Sequence, residues 1–176
     1  ERLLELPVLG VIPHIRGNRR VFPIPGERGE DGSKMRLITH LTAKSAVAEA
    51  YRTLRTNLQF ARAGNSCRTL VFTSPFPGEG KSITSANMAI TLAQMGSKTL
   101  LVGSDLRKPI LHKLFQTDRS TGLSEILIGK GSLQNCILPT EIENLYLLPP
   151  GTLPPNPAEL LGSMEMEGLI GEMKKS

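Results

Sequence analysis

Apolar positions along the chain follow two rhythms, one continuous and one with a period near 3.6 residues. Continuous runs at Thr69–Thr73 (TLVFT), Lys98–Val102 (KTLLV) and Asn144–Leu148 (NLYLL) predict three buried strands. A shorter run, Val8–Ile12 after Pro7, predicts a strand at a sheet edge, where proline is tolerated. Helical spacing puts Val47, Tyr51, Leu54 and Leu58 on one face of a helix from about Ala46 to Arg62. It puts Ile83, Ala86, Ile90 and Ala93 on one face of a second helix, with Gly96 just past its end. Short helices are predicted near Pro109 (with Leu111, Leu114 and Phe115), over Ser124–Ile128, after Gly131, and from Pro157, where proline suits the first turn. A last helix covers Met164–Lys175, with Met166, Leu169, Ile170 and Met173 inward. Arg16–Lys34 is rich in Gly, Pro and charge and reads as a mobile linker. Strands alternating with helices over residues 42–176 predict an α/β domain with a mostly parallel sheet flanked by helices. Residues 1–41 are expected to form an N-terminal strand and a basic linker.

A chain of 176 residues is long enough for one domain with its own core. Aromatic residues make up only 4% and Trp is absent, so that core must be built from Leu, Ile, Val and Ala. Cys67 and Cys136 lie far apart and match no metal spacing; they read as reduced thiols of a cytosolic protein. His14, His40 and His112 are scattered and suggest no imidazole metal site. No apolar run is long enough to cross a membrane, and no signal peptide is expected. The net charge of +5 is unevenly placed: residues 1–68 carry 12 Lys/Arg against 6 Asp/Glu, residues 69–176 carry 9 against 10. That asymmetry fits contact with lipid headgroups or an acidic partner, or equally a solvated linker with surplus arginine. Nucleic acid is disfavoured, because the basic residues are not interleaved with stacking aromatics.

The densest chemistry lies at Arg68–Ser82, RTLVFTSPFPGEGKS. A strand run breaks at Ser74-Pro75-Phe76-Pro77, passes through Gly78-Glu79-Gly80, and enters a helix on Lys81-Ser82. Strand, glycine loop and helix in this order predict a phosphate-binding P-loop and hence a bound nucleotide. Gly78 and Gly80 let backbone N–H groups turn inward, and the helix N-terminus adds partial positive charge. Pro77, Glu79 and Ile83 complete the expected cradle. Lys81 is placed for the β/γ-phosphates of ATP or ADP, and the Ser82 hydroxyl for Mg²⁺. The spacing departs from G-x-x-x-x-G-K-[ST], since Pro75 stands where the first glycine would be.

Gly103-Ser104-Asp105-Leu106-Arg107-Lys108-Pro109 follows the second predicted strand at its carboxyl end, where open α/β sheets bind ligands. Asp105 is therefore expected to reach Mg²⁺ or accept a hydroxyl proton; the plainer alternative is a cap on the next helix. Arg107 and Lys108 are candidates to neutralise phosphate or to pair with a neighbouring subunit. On the first helix Glu49, Arg52 and Arg55 form one slanted charged stripe, which composition alone would leave solvated.

These residues resemble the cytoplasmic kinase domain of bacterial tyrosine kinases, P-loop NTPase-like proteins that act as polysaccharide co-polymerases in capsule and exopolysaccharide synthesis. The resemblance covers nearly the whole chain. Leu9-Gly10-Val11-Ile12-Pro13 is similar to the segment that follows the second transmembrane helix in that family. Glu49-x-x-Arg52-x-x-Arg55 matches its E-x-x-R-x-x-R motif, which implies a homo-oligomeric ring assembled through this helix. Ser74–Ser82 resembles its Walker A, [AGS]-x-x-P-G-x-G-K-[ST], and Leu100–Pro109 its Walker A′. Partition-type ATPases of related fold carry a lysine where this chain has Phe76, so the resemblance is to the kinase branch.

The resemblance implies autophosphorylation on tyrosine with Mg·ATP, Lys81 and Asp105 as catalytic residues, and Ser82 and Asp105 as metal ligands. It also implies a transmembrane co-polymerase partner, a phosphotyrosine phosphatase, and a place at the cytoplasmic face of the bacterial inner membrane. Three departures stand out. Walker A′ is usually D-x-D-x-R, but its first acid is replaced by Gly103; either Asp105 covers both tasks or the chain is catalytically weak, a nucleotide-binding scaffold for assembly. The chain stops at Ser176, before the strand expected to carry the Walker B aspartate. No C-terminal tyrosine cluster is present, and of Tyr51 and Tyr146 the former is expected in the core. A fragment of a longer protein is the expectation.

Overall fold

The computed structural model describes residues 7–13, 37, 45–61 and 68–175, which fall in two units, Glu1–Met95 and Gly96–Ser176. Residues 14–36 and Cys67, with the predicted linker, lie outside the described residues.

In the first unit, α1 (Ala46–Ala61) and α2 (Lys81–Ala93) pack on each other. Ser45 opens α1, its Oγ accepting the Ala48 N–H at 3.1 Å, the usual device for a helix's orphan amides. Ala48 and Tyr51 are the buried residues of α1, and Tyr51 is only 1% exposed, which makes it a core residue as expected. Val47, Leu54 and Leu58 are half-buried. On α2, Ala86 to Thr91 and Ala93 are all buried, and its alanines let α1 approach closely. Gly96, at φ +81°, ends the turn after α2 in the left-handed region that favours glycine.

Two predicted strands are absent. Pro7–Pro13 lies on α1 as irregular chain: Asn57 Nδ2 donates to the Leu9 carbonyl at 2.8 Å, and Gly10 sits against Leu54. Side-chain contacts with a helix have taken the place of a ladder, and Pro7 and Pro13 have no N–H to give one. Thr69–Thr73 also forms no strand, and Val71 is 86% exposed. A strand exists only as part of a hydrogen-bonded ladder, and the sheet among the described residues is β1-β3-β2 without this run.

The second unit holds a three-stranded sheet of order β1-β3-β2. β1 (Thr99–Val102) runs parallel to β3 (Leu145–Leu148), with Thr99 opposite Leu145 and Val102 opposite Leu148. β2 (Leu138–Pro139), which the apolar pattern did not announce, pairs antiparallel with β3, so the sheet is mixed. Its return is set by Thr140, whose Oγ1 donates to the Leu145 carbonyl at 2.9 Å and accepts the Ile142 N–H at 3.1 Å. The short helices α3 (Leu111–Leu114), α4 (Leu123–Leu127), α5 (Leu133–Cys136) and α6 (Pro157–Leu161) stand where the pattern predicts. So does α7 (Met164–Met173), capped by Ser163 Oγ accepting the Met166 N–H. Leu106, Leu123, Leu127, Leu133, Cys136, Leu148 and Leu169 form the core. Burial, and then the charge of Glu125, push the Cys136 thiol up, as suits an unreactive core cysteine.

The junction of β3 and α4 is the tightest point of this unit. Leu123 N–H and Ser124 N–H donate to the carbonyls of Pro149 (2.8 Å) and Pro150 (3.0 Å). Glu125 Oε2 accepts the Gly122 N–H at 2.8 Å and the Ser124 hydroxyl at 3.1 Å, while Oε1 accepts the Thr152 N–H at 3.1 Å. No side chain fits at Gly122, where an added Cβ would lie 2.6 Å from the Gly151 nitrogen. Burial opposes the charge on Glu125, but the bonds from Thr152, the local backbone and Ser124 outweigh it and hold the carboxyl below its ordinary 4.5. A carboxyl whose folded pKa is depressed contributes stability above its unfolded pKa, and that contribution is lost as pH falls through the folded value. Glu125→Gln should therefore flatten the loss of stability below about pH 4.5, read as unfolding midpoint against pH.

Candidate nucleotide-binding site

The loop before α2 is built by two glycines and a brace. Gly78 (φ +83°) and Gly80 (φ +90°) both take left-handed conformations, and an added Cβ at either meets nothing within 4 Å. Backbone conformation, and not crowding, is therefore what requires glycine there. Ser74 Oγ donates to the Phe76 carbonyl at 3.0 Å, and Glu79 Oε2 accepts the Phe76 N–H at 3.2 Å, tying the turn from both sides. The side chain of Glu79 is thus engaged within the loop itself.

Gly80 is the N-cap of α2, and its carbonyl accepts the Thr84 N–H at 2.8 Å. The turn between, over Lys81, Ser82 and Ile83, is the amide end of α2. A glycine turn ending on a helix N-terminus favours an anionic group, by amide donation and by the helix dipole. Pro77 is exposed, while Lys81, Ser82 and Ile83 are half-buried.

Asp105 and Arg107 belong to the second unit, on the loop leaving β1. Gly103 N–H donates to the Leu148 carbonyl at 2.8 Å, which carries the β1–β3 ladder one residue further. Leu106 is 2% exposed and plugs into the core, so the loop is pinned between two fixed points. Between them Asp105 Oδ1 accepts the Arg107 N–H at 3.2 Å and the Lys108 N–H at 2.9 Å. This is a turn-forming aspartate, close to the plainer reading of that residue. Arg107 is exposed.

The charged stripe of α1 divides. Arg52 Nη1 meets Glu49 Oε2 at 2.7 Å, an exposed i,i+3 pair of little energetic weight. Arg55 instead turns toward α2, its Nη1 reaching the Thr91 carbonyl at 3.4 Å while its buried Nε has no hydrogen-bond partner among the described residues.

An AAA domain family profile matches residues 68–173. The chain is 42% identical over 147 residues to tyrosine-protein kinase YwqD of Bacillus subtilis (strain 168), covering 82% of this chain and 62% of that one. It is 43% identical over 122 residues to tyrosine-protein kinase Wzc of Salmonella typhimurium, covering 69% of this chain and 17% of that one. The solved BceF tyrosine kinase domain matches with a TM-score of 0.80 and 32% identity, over 99% of this chain and 69% of that chain. The chain belongs to the bacterial tyrosine-kinase family of P-loop proteins. It spans less than two thirds of the length of YwqD.

In this chain Gly103 begins the loop that leaves β1, and its neighbours leave little room for a side chain. An added Cβ would lie 3.1 Å from both Cδ and N of Pro150 and 3.3 Å from the Leu148 carbonyl oxygen. The apolar pattern did not mark the Pro149-Pro150-Gly151 corner, which crowds Gly103, or its Glu125 clamp. Two signals pointed to them: a glutamate three residues after Gly122, in capping-box position, and paired prolines directly after a strand. Gly103→Asp should lower stability by about 1–3 kcal/mol, as overpacking does, read as a shift of the denaturant midpoint at unchanged slope.

Proposed function

We propose that the chain is the nucleotide-binding part of an ATP-dependent protein-tyrosine autokinase that regulates capsular or exopolysaccharide polymerisation and export. The observation that carries this reading is the loop of two left-handed glycines opening α2 on Lys81-Ser82, in a chain of the tyrosine-kinase family. Phosphoryl transfer asks the protein chiefly to position groups and neutralise charge. Lys81 draws off negative charge at the β/γ-phosphates, and the loop amides from Gly78 to Ile83 hold their oxygens. Arg107 supplies further positive charge. The Ser82 hydroxyl and Asp105 carboxylate are hard oxygen donors, the type that would hold Mg²⁺. When bound, Mg²⁺ neutralises charge developing on the transferred phosphoryl group.

Glu49, Arg52 and Arg55 form the contact between copies in a ring that brings donor and acceptor tyrosine together. The partner in the membrane is a co-polymerase region, in the same chain or another, which places this domain at the cytoplasmic face of the inner membrane. A phosphotyrosine phosphatase reverses the modification. Among the described residues no helix is long and apolar enough to cross a membrane. Gly103 supports a second reading, a scaffold that binds ATP or ADP and controls co-polymerase assembly without transferring phosphate.

Transfer from γ-labelled ATP to tyrosine in the full-length protein separates the two. Label lost in Lys81→Met supports the kinase; tight nucleotide binding with no label supports the scaffold. Arg55→Ala should shift sedimentation toward monomer and, through the lost bond to Thr91, lower stability by about 1 kcal/mol. Unchanged sedimentation would remove Arg55 from the interface.

A further inference from the structure

We propose that Glu125 is a positioning residue for Asp105, acting through Pro150 and Gly103; the proposal rests on the reading of Asp105 as the magnesium-side carboxylate. Glu125 is a charged residue on α4, remote in sequence from the Walker motifs. Its two oxygens bind three groups at once: Gly122 N–H and Ser124 Oγ on one, Thr152 N–H on the other. Together with the Leu123 and Ser124 amides on Pro149 and Pro150, this closes residues 149–152 onto residues 122–125. No slack remains in the clamp. Gly151 sits at φ +81° directly against the Glu125 and Ser124 side chains, so a Cβ there would overlap Glu125 Oε2.

The ring of Pro150, held in this way, is the surface against which Gly103 rests, and the Leu148 carbonyl just before it accepts the Gly103 N–H. Gly103 is the first residue of the Asp105 loop, and buried Leu106 is its far anchor. Leu106 shares its core with Leu123, inside the clamp, and Leu148, just before it. Both ends of the short span carrying Asp105 are therefore set by the corner that Glu125 ties. Supporting groups of this kind typically change metal affinity about 10–100-fold when removed. Glu125 itself touches neither nucleotide nor metal in this scheme.

The test is ADP affinity of the full chain by calorimetry, with Mg²⁺ and with EDTA, so that the magnesium-dependent gain is read without catalysis. Asp105→Asn should abolish the gain. Glu125→Gln should cut it about tenfold while leaving the EDTA affinity unchanged, and should add nothing in an Asp105→Asn background. Glu125→Asp, which keeps the charge, should recover part of it. A folded Glu125→Gln protein with the wild-type gain overturns the positioning role, and so does an equal loss in Mg²⁺ and EDTA, which marks general destabilisation. If Glu125→Gln does not fold, Ser124→Ala, which removes one donor to the carboxylate, decides on the same terms. A wild-type gain in Asp105→Asn instead overturns the assignment of Asp105.

Discussion

The second unit depends on backbone groups that can be satisfied in only one way. Pro149 and Pro150 end β3 because they have no N–H to continue a ladder, yet their carbonyls still need donors. The first amides of α4 need acceptors, since no helix supplies them to its own first turn. Leu123 and Ser124 bring the two needs together at 2.8 and 3.0 Å, and Glu125 takes the remaining Gly122 amide. Strand, helix and the chain into Thr152 thereby share one closed set of bonds. The glycines at 122 and 151 follow from that closeness, each for its own reason. At Gly122 there is no room, and at Gly151 there is neither room nor a backbone conformation open to other residues.

In the first unit the dominant constraint is conformational. Two left-handed glycines on either side of Glu79 turn the chain sharply enough for α2 to begin with its amide end at the loop. The loop is then braced by its own groups, Ser74 on the Phe76 carbonyl and Glu79 on the Phe76 amide. A loop braced in this way has little conformational freedom left to lose on meeting a ligand. Behind it α2 is buried from Ala86 to Thr91, so the helix behind the loop is held by packing.

At Gly103 this chain departs from the Walker A′ pattern that it otherwise resembles, and a side chain there would need Pro150 to give by a few tenths of an ångström. The replacement of the pattern's first acid by Gly103 looks, in the sequence, like lost chemistry. In the fold that position faces Pro150 at van der Waals limits, and the backbone of Gly103 is engaged with Leu148. Asp105, two residues on, spends one oxygen on the turn amides of Arg107 and Lys108. An aspartate can shape its own loop and present a charge from it, because a carboxylate accepts several bonds.

Local pattern was enough for whatever a segment decides alone. Helix periods located α1, α2 and α7, turn chemistry located Gly78, Gly80 and Gly96, and the β1 and β3 runs read directly as buried strands. The same pattern placed Lys81 and Ser82 on a helix start and Asp105 after a strand end, where the structure has them. Strand status for Thr69–Thr73 and Val8–Ile12 was not decided locally, because a strand is a relation between two segments and an apolar run carries only half of it. β2 arose the opposite way, two residues recruited by the partner that Thr140 turned back upon them. Arg55 left its stripe for the Thr91 carbonyl, and Glu125 became the tie of a distant loop, through neighbours separated from them by 36 and 27 residues. Sequence determined the helices, β1 and β3, and the chemical groups they carry. Tertiary structure decided their partners, because buried polar groups must be satisfied by whatever the fold brings within reach.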